Sequence, residues 1–164
     1  MVDRISPEAR SDNMRRVRGK NTRPEIAVRK MLHRLGYRFR LHRKDLPGRP
    51  DIFLPKYKLA VFVHGCFWHG HTGCKKSQLP DTRREFWAAK IDGNRRRDGM
   101  AVEGLKRLGI ATVTVWECEL KCEDKVVERI NSATGRDSGT DGEATEAEGS
   151  RHASARSNRP SHKF

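Results

Sequence analysis

Three histidines, two cysteines and two large aromatic residues lie within residues 63–74, which read Val-His-Gly-Cys-Phe-Trp-His-Gly-His-Thr-Gly-Cys. A core segment would be apolar at a regular period, and a solvent-exposed loop rarely carries adjacent Phe and Trp, so neither explains this run. Cysteine and histidine are zinc ligands, an imidazole that binds no metal can transfer a proton, and the aromatic pair can stack on a flat partner. The run therefore predicts a functional site.

Part of this run forms a candidate zinc site. The candidate ligands are Cys66, His71, Cys74 and Cys118. The first three have spacings of five and three residues, which let one loop wrap a tetrahedral ion, and the fourth follows a distant strand. Cys122 and His69 are alternative ligands. The competing interpretation is a buried core thiol at position 118 beside incidental loop cysteines.

A hairpin is predicted just before this run. Two short apolar segments, residues 51–54 and 59–64, flank the turn Pro-Lys-Tyr-Lys at residues 55–58. If Leu54 pairs with Leu59, the register of the hairpin is fixed, because side chains alternate between the two faces of a strand.

Asp51 falls opposite Phe62 in this register and shares a face with His64, at a diagonal distance of roughly 7 Å. Its carboxylate is expected near the backbone around Val63. A carboxylate at the start of an apolar strand is costly to bury unless it is paired or bound to a cation such as Mg²⁺. A magnesium ligand and an exposed strand cap paired with Arg49 are therefore competing interpretations.

His64 and His69 remain if His71 binds zinc. An imidazole with an ordinary pKa of about 6.5 can take a proton from water at neutral pH, as a general base for hydrolysis must. The alternative for each is a hydrogen-bonded structural role.

Aromatic and basic residues could contact nucleic acid. Phe67 and Trp68, with Phe86 and Trp87 further along the chain, could stack on bases or wedge between them. The alternative places one of Phe86 and Trp87 in the core. Basic clusters at residues 15–16, 42–44 and 95–97 could touch phosphates or could simply be solvated faces.

Composition favours a polyanionic partner. The chain has 164 residues, room for one domain, and a formal net charge of +14 with a pI near 10.2. The last 34 residues carry five basic and five acidic residues, so the excess charge lies on residues 1–130. Nucleic acid is the first candidate and a membrane surface the second.

The compartment expected is the cytosol. Residues 1–10 have no apolar segment of signal-peptide length, and no stretch of the chain reaches the length of a membrane span. In a reducing compartment the four cysteines are metal ligands or free thiols rather than a disulfide framework.

Periodicity and turn residues predict an α/β sandwich with a small mixed sheet flanked by helices. The predicted helices span residues 23–35, 82–91, 94–108 and 123–130, and strands at 37–41 and 110–116 join the hairpin. A domain over residues 1–130 is followed by a disordered polar tail at 131–164.

The chain resembles the very short patch repair endonucleases, bacterial enzymes that nick DNA at mismatches. The resemblance covers residues 10–130. It rests on Arg-Ser-Asp-Asn-Met-Arg at 10–15, Leu-Pro-Gly-Arg-Pro-Asp at 46–51, Val-His-Gly-Cys-Phe-Trp-His at 63–69, Thr-Arg-Arg-Glu-Phe-Trp at 82–87 and Val-Trp-Glu-Cys at 115–118.

The resemblance implies a restriction-endonuclease-like fold of the PD-(D/E)XK type with a zinc-stabilised loop. It implies Mg²⁺-dependent nicking of one strand, 5′ of the T in a T·G mismatch left by deamination of 5-methylcytosine. Asp51 matches the magnesium-binding aspartate, and Val63, which is Thr in the best-known relatives, the residue whose backbone carbonyl binds Mg²⁺. His69 matches the general base, His64 a second active-site histidine and Glu25 a supporting acidic residue.

Further expectations come from the same resemblance. Phe67, Trp68 and Trp87 match the aromatics that intercalate beside the mismatch, and the four candidate zinc ligands match the family's zinc set. Residues 1–20 are expected to contact DNA. The resemblance also implies a monomer on the bacterial nucleoid, a companion cytosine methyltransferase and contact with mismatch-repair proteins.

Two rival functions stay open at this point. One is a restriction-type endonuclease that cuts both strands of ordinary duplex DNA. The other is a zinc-stabilised DNA-binding module without catalysis, which would give Asp51 and His69 no task.

Overall fold

A mixed four-stranded sheet lies between helices in the computed structural model, which describes residues 19–136. In chain order the elements are α1 Arg23–Arg34, β1 Arg40–Leu41, β2 Ile52–Leu54, β3 Leu59–His64, α2 Arg84–Arg107, β4 Ala111–Trp116 and α3 Glu123–Thr134. The predicted α/β class with a small mixed sheet is confirmed. Most of the predicted DNA-contacting arm and of the predicted tail, residues 1–18 and 137–164, lie outside the described residues, as does the basic cluster at 15–16.

The strand order is β1-β2-β3-β4, with two antiparallel pairs followed by the parallel pair β3–β4. Leu54 pairs with Leu59, so the predicted hairpin register is confirmed. Because β2 runs against β3 while β4 runs with it, the start of β2 lies at the same end of the sheet as the ends of β3 and β4. That end carries the predicted site residues Asp51 and His64, and we call it the functional end of the sheet.

Each face of the sheet packs against different helices. On one face, α1 and α3 bury Val28, Leu32, Val126 and Ile130 against the alternate strand residues represented by Val61. On the other face, α2 contributes the buried side chains Ala101 and Leu105, which pack with Phe53, Ala60 and Phe62. The sheet is therefore covered on both sides, and the two faces bring different helices to its functional end.

Helix α1 begins and ends as its sequence predicts. Thr22 and Glu25 form a reciprocal capping box, with Pro24 in the first turn. At the other end Gly36 takes φ +76, and the amide of Tyr37 donates to the carbonyl of Leu32 at 3.0 Å. This Schellman-type ending stops the helix within one residue of the predicted end at residue 35.

The predicted strand at 37–41 is wrong for its first three residues, since only Arg40–Leu41 pairs with β2. Tyr37 instead turns into the core, and its hydroxyl donates to Asn131 Oδ1 at 2.7 Å on α3. Helix α3 accordingly runs to Thr134, beyond the predicted end at residue 130.

The prediction of two helices at 82–91 and 94–108 is also wrong, because one helix, Arg84–Arg107, spans both. Gly93 keeps helical geometry, although an interior glycine costs about 1 kcal/mol relative to alanine. Contacts from Ile91, Asn94 and Arg95 to the loop after β3 offset that cost. The continuous helix turns out to position part of the site.

Candidate active site and metal centre

Three groups of potential ligands meet at the functional end of the sheet. We name them the acidic pocket (Glu25, His42, Asp51), the imidazole cluster (His64, His69, Asp98) and the cysteine cluster (Cys66, His71, Cys74, Cys118). Within each group one ligand atom per residue lies within 4.8 Å of the others. The strand ends explain their proximity, because Asp51 precedes β2, His64 ends β3 and Cys118 follows β4.

Asp51 lies where the hairpin register predicted it. Its Oδ2 accepts a hydrogen bond from the amide of Val63 at 2.8 Å, and no ion pair within residues 19–136 joins it to Arg49. Burial raises the pKa of Asp51, and the Glu25 carboxylate raises it further against the opposing effects of Val63, His42 and Arg29. A carboxylate whose ionised form is disfavoured in this way is stabilised by a cation.

Glu25 is 4% exposed and heavily hydrogen-bonded. Its Oε2 accepts from Arg29 Nη2 at 2.7 Å and from the amide of Asn21 at 3.0 Å, and its Oε1 accepts from the Thr22 hydroxyl at 3.0 Å. The same residue therefore caps α1 and places a fixed negative charge beside Asp51.

His42 completes the acidic pocket, where sequence reasoning saw only a basic loop. Its amide donates to the carbonyl of Asp51 at 3.2 Å, which continues the β1–β2 ladder by one residue. Its φ of 47° is left-handed, an uncommon conformation outside glycine. Nε2 of its ring lies 3.0 Å from Arg29 Nη2 and 3.7 Å from Glu25 Oε2.

The imidazole cluster pairs one histidine with a carboxylate. His69 Nδ1 lies 2.6 Å from Asp98 Oδ2, and the rings of His64 and His69 stack with centroids 3.7 Å apart and an interplanar angle of 9°. The carboxylate accepts from Nδ1–H, which fixes the tautomer and leaves Nε2 as the proton acceptor. Although burial acts to raise it, the pKa of Asp98 is lowered by this hydrogen bond, so the carboxylate is ionised at neutral pH.

The pKa of His64 lies below that of a surface histidine. The residue is 7% exposed, and its pKa is lowered to about 4 by burial and then by His69, against the opposing effect of Asp98. His64 is therefore neutral at physiological pH and stacks on His69 without adding a second charge.

The spacings in the cysteine cluster are compatible with a tetrahedral metal site. His71 Nδ1 lies 3.3 Å from Cys118 Sγ and 3.7 Å from Cys66 Sγ. A tetrahedral zinc ion with bonds of about 2.3 Å to sulfur and about 2.05 Å to nitrogen has sulfur–nitrogen edges of roughly 3.6 Å, so the donor set fits zinc. Cys122 is exposed and His69 bonds to Asp98, so neither alternative ligand belongs to this group.

Burial raises the pKa of the Cys66 thiol to about 12. Three thiolates this close together would repel one another, and a bound cation removes that cost. The ring of Trp116 stacks on His71 with centroids 4.2 Å apart and an interplanar angle of 4°, which fixes the orientation of the imidazole.

The loop that carries these residues is held by one face of α2. Asn94 Nδ2 donates to the carbonyl of Trp68 at 2.6 Å, and Arg95 donates to the carbonyls of His69 and Gly70. Gly70 has φ +60, and a Cβ there would lie 2.7 Å from Ile91 Cγ2, so this approach requires glycine. The Arg95 guanidinium, a predicted phosphate contact, thus bonds to the loop.

Four aromatic rings form a cluster beside the loop. Phe67 lies 5.4 Å from Trp68 and 5.3 Å from Trp87, and Phe86 lies 5.2 Å from Trp87. The Lys90 ammonium is 5.8 to 5.9 Å from three of these rings. Phe86 is 46% exposed and Trp87 is only partly buried, so the alternative of a core position for one of them is not met.

Known proteins are similar to this one in sequence over most of the chain. A sequence profile of the family described as DNA mismatch endonuclease Vsr matches residues 2–76. The type II nicking enzyme V.XorIIP of Xanthomonas oryzae is 58% identical over 120 residues, which are 73% of this chain and 88% of that protein. This chain belongs to the Vsr family of DNA mismatch endonucleases.

Other members of the Vsr family are similar over comparable lengths. The type II nicking enzyme V.NmeAIP of Neisseria meningitidis is 43% identical over 131 residues, 80% of this chain and 93% of that protein. The DNA mismatch endonuclease Vsr of Escherichia coli is 38% identical over 128 residues, 78% of this chain and 81% of that protein. The predicted family and the predicted enzyme class, a DNA endonuclease, are confirmed.

Three residues of this Vsr-family site escaped sequence reasoning. Asp98, His42 and Arg29 each contact a predicted site residue, yet each lies on an element whose orientation the sequence did not give. A continuous helical phase from Trp87 through Asp98 would have been the signal for the first.

None of the helices between residues 19 and 136 combines the length and apolar character that a bilayer span requires.

Proposed function

We propose that this Vsr-family protein nicks one DNA strand 5′ of the T in a T·G mismatch, with Mg²⁺ at Asp51 and His69 as the general base. The observation that carries the proposal is the meeting of two different groups at one end of the sheet. A carboxylate pocket for a hard cation lies beside an imidazole whose tautomer a carboxylate fixes. Val63 links them, because its amide bonds Asp51 and its neighbour His64 stacks on His69.

The acidic pocket suits magnesium through its oxygen donors. Val63 engages one oxygen of Asp51, so the other oxygen can face a cation, and the carbonyl of Val63 is the second proposed ligand. Mg²⁺ bound there would polarise the scissile phosphate and neutralise its developing charge. Glu25 supports the site by its fixed charge and by the helix that it caps.

His69 is the proposed proton acceptor for the attacking water. Asp98 holds Nδ1–H and stabilises the imidazolium that forms when Nε2 takes the proton. His64, neutral and stacked against His69, keeps the ring in place and can donate to a phosphate oxygen. The chemistry is phosphodiester hydrolysis by a positioned base in a charged pocket.

The aromatic cluster supports selectivity for a mispair. Rings of Phe67, Trp68 and Trp87 project from the loop and α2, and the charge of the chain attracts the duplex. A T·G pair is easier to unstack than a Watson–Crick pair, so wedging of these rings favours it.

We further propose that the cysteine cluster holds structural zinc, which orders the loop between Cys66 and Cys74 and hence His69. The parallel β3–β4 pair and its covering helices support a PD-(D/E)XK-type core in one endonuclease domain. By the family resemblance, the protein acts as a monomer on the nucleoid, in concert with a cytosine methyltransferase and mismatch-repair proteins.

The test compares nicking of a T·G duplex with a matched T·A duplex, strand by strand, with Mg²⁺ present or replaced by EDTA. We expect one nick, 5′ of the mismatched T, in the T·G duplex alone. Equal cutting of both duplexes would reject mismatch selectivity. Paired nicks in undamaged DNA would favour the restriction-type alternative, which the nicking-enzyme names of the relatives do not support.

The metal and base roles need two variants. Asp51→Asn and His69→Asn should each bind the T·G duplex and fail to nick it. Retained nicking in either variant would remove that residue from the proposed mechanism, while binding without nicking by the wild type under every metal tested would favour the non-catalytic module.

A further inference from the structure

A cation already lies among the ligand atoms of the acidic pocket. The guanidinium of Arg29 places Nη2 at 2.7 Å from Glu25 Oε2 and at 3.0 Å from His42 Nε2. These two acceptor atoms are 3.7 Å apart. An octahedral cation with bonds of about 2.1 Å has ligand atoms between about 3.0 and 4.2 Å apart, so the atoms that hold the guanidinium are spaced as metal ligands are.

The contact with Arg29 also defines the role of His42 Nε2. Every nitrogen of a guanidinium is a donor, so His42 Nε2 is the acceptor in this contact. An imidazole nitrogen whose lone pair points at a cation is oriented as a metal ligand is. The left-handed backbone at His42 and its amide bond to Asp51 keep the ring at this edge.

Arg29 is incompletely satisfied in its present position. Its Nε is buried and has no hydrogen-bond partner within residues 19–136, although Nη1 donates to Asn21 Oδ1 at 2.7 Å. A buried donor without a partner is unfavourable, which lowers the cost of moving the guanidinium. The guanidinium therefore has an exposed partner, Asn21, at Nη1 and an unpaired donor at Nε.

We propose that His42 supplies a nitrogen ligand to the catalytic cation and that the guanidinium of Arg29 occupies the pocket until that cation binds. The proposal rests on the proposed function for the cation at Asp51, and it adds two residues that the resemblance does not assign. On binding, Arg29 withdraws from His42 Nε2 towards Asn21, and Nε2 and Asp51 take the cation. An imidazole ligand favours Mn²⁺ relative to Mg²⁺, which prefers oxygen.

The experiment titrates Mn²⁺ into the full-length, zinc-replete protein without DNA, and reads both the dissociation constant and the nitrogen coupling of bound Mn²⁺ by pulsed electron paramagnetic resonance. We expect a directly bound imidazole nitrogen in the wild type. His42→Gln should lose that coupling and weaken Mn²⁺ binding at least about tenfold. His33→Gln, the same change at an exposed position of α1, should do neither.

Arg29→Gln tests the resident cation. It keeps an amide donor for Glu25 and removes the charge, so Mn²⁺ should bind at least about fivefold more tightly, the effect of one unit charge about 4 Å away in bulk water. Arg23→Gln, the same change at an exposed position of α1, is the control and should leave the constant unchanged. Weaker binding by Arg29→Gln, with an unchanged thermal unfolding midpoint, would overturn the role of Arg29.

Two outcomes separate this proposal from the proposed function. If nitrogen coupling persists in His42→Gln while Asp51→Asn abolishes binding, His42 is not a ligand and the metal role of Asp51 stands. If Asp51→Asn binds Mn²⁺ as tightly as the wild type and nicks the T·G duplex, the cation site of the proposed function fails, and the role of His42 fails with it.

Discussion

The cysteine cluster and the acidic pocket are both candidate metal sites, but they are built in opposite ways. Three of the four residues of the cysteine cluster lie on one short loop. The acidic pocket takes one residue from α1, one from the end of β1 and one from the start of β2, and it encloses a competing cation, Arg29. A closed set of soft ligands suits a permanent structural ion, whereas an open set that a side chain occupies suits an ion that comes and goes with the reaction.

The largest expected effect is on catalysis at the acidic pocket. Asp51→Asn should lower the single-turnover nicking rate of a T·G duplex by about 10³-fold or more, because the phosphate loses its charge stabilisation. The thermal unfolding midpoint and the zinc content should not fall, because burial without a cation disfavours the charged carboxylate. A variant that loses zinc together with activity would show that the two sites are not separable.

Cys118→Ser should act mainly on stability and zinc content rather than directly on the nicking chemistry. Loss of one ligand of the proposed zinc site should lower the free energy of unfolding by about 4 kcal/mol, since loss of a metal is among the few changes with so large an effect. Metal analysis and chemical denaturation measure the two quantities. Cys122→Ser, at the exposed cysteine outside the cluster, is the matched control and should change neither.

Asp98→Asn tests the link between α2 and the proposed base. The amide can no longer stabilise an imidazolium on His69, so the nicking rate should fall by about 10²-fold, the lower end of the effect of a general base. Affinity for the T·G duplex should stay unchanged. Asp92→Asn, six residues earlier on the same helix and exposed, should nick at the wild-type rate. Equal activity of the two variants would remove Asp98 from the site.

Gly70→Ala should perturb the loop between the two sites. The new methyl group would meet Ile91 at 2.7 Å on a backbone with φ +60, and we expect a loss of about 1 to 2 kcal/mol in stability. Gly73 also has a positive φ but faces open space, so Gly73→Ala is the control for the steric part. Hydrogen exchange at the amides of residues 65–74 should rise in Gly70→Ala more than in Gly73→Ala.

The smallest effect is expected at the far end of the sheet. Tyr37→Phe removes one buried hydroxyl that bonds to Asn131, which should cost about 1 kcal/mol of stability. Nicking and zinc content should both stay at wild-type values. Any loss of activity at the assay temperature would mean that the contact between Tyr37 and α3 also supports the site.

Local patterns were enough to predict much of the fold and of the cysteine cluster. The capping box at Thr22, the pairing of Leu54 with Leu59 and the spacing of Cys66, His71 and Cys74 each involve residues close in sequence, where chain geometry leaves few choices. The contact of Asp51 with Val63 follows from the register alone.

Contacts between distant elements could not be predicted in the same way. Asp98 approaches His69 only because α2 continues through Gly93, whereas the sequence pattern predicted two separate helices, 82–91 and 94–108. Arg29 and His42 meet only because α1 packs across the start of β2, which depends on the burial of Val28 and Leu32 against the whole sheet. The packing of α1 against the sheet is a property of the assembled core and leaves no mark in a local pattern.

The uninterrupted helix α2 also fixes the distance between the aromatic cluster and the imidazole cluster. Trp87 and Asp98 are eleven residues apart on this helix, roughly 16 Å along its axis. Trp87 belongs to the group of rings that would open the duplex, and Asp98 orients His69, the proposed general base. A break in the helix at Gly93 would have let that separation vary from one DNA-binding event to the next. For the proposed reaction, the continuous helix would set how far from the mispair the broken bond lies.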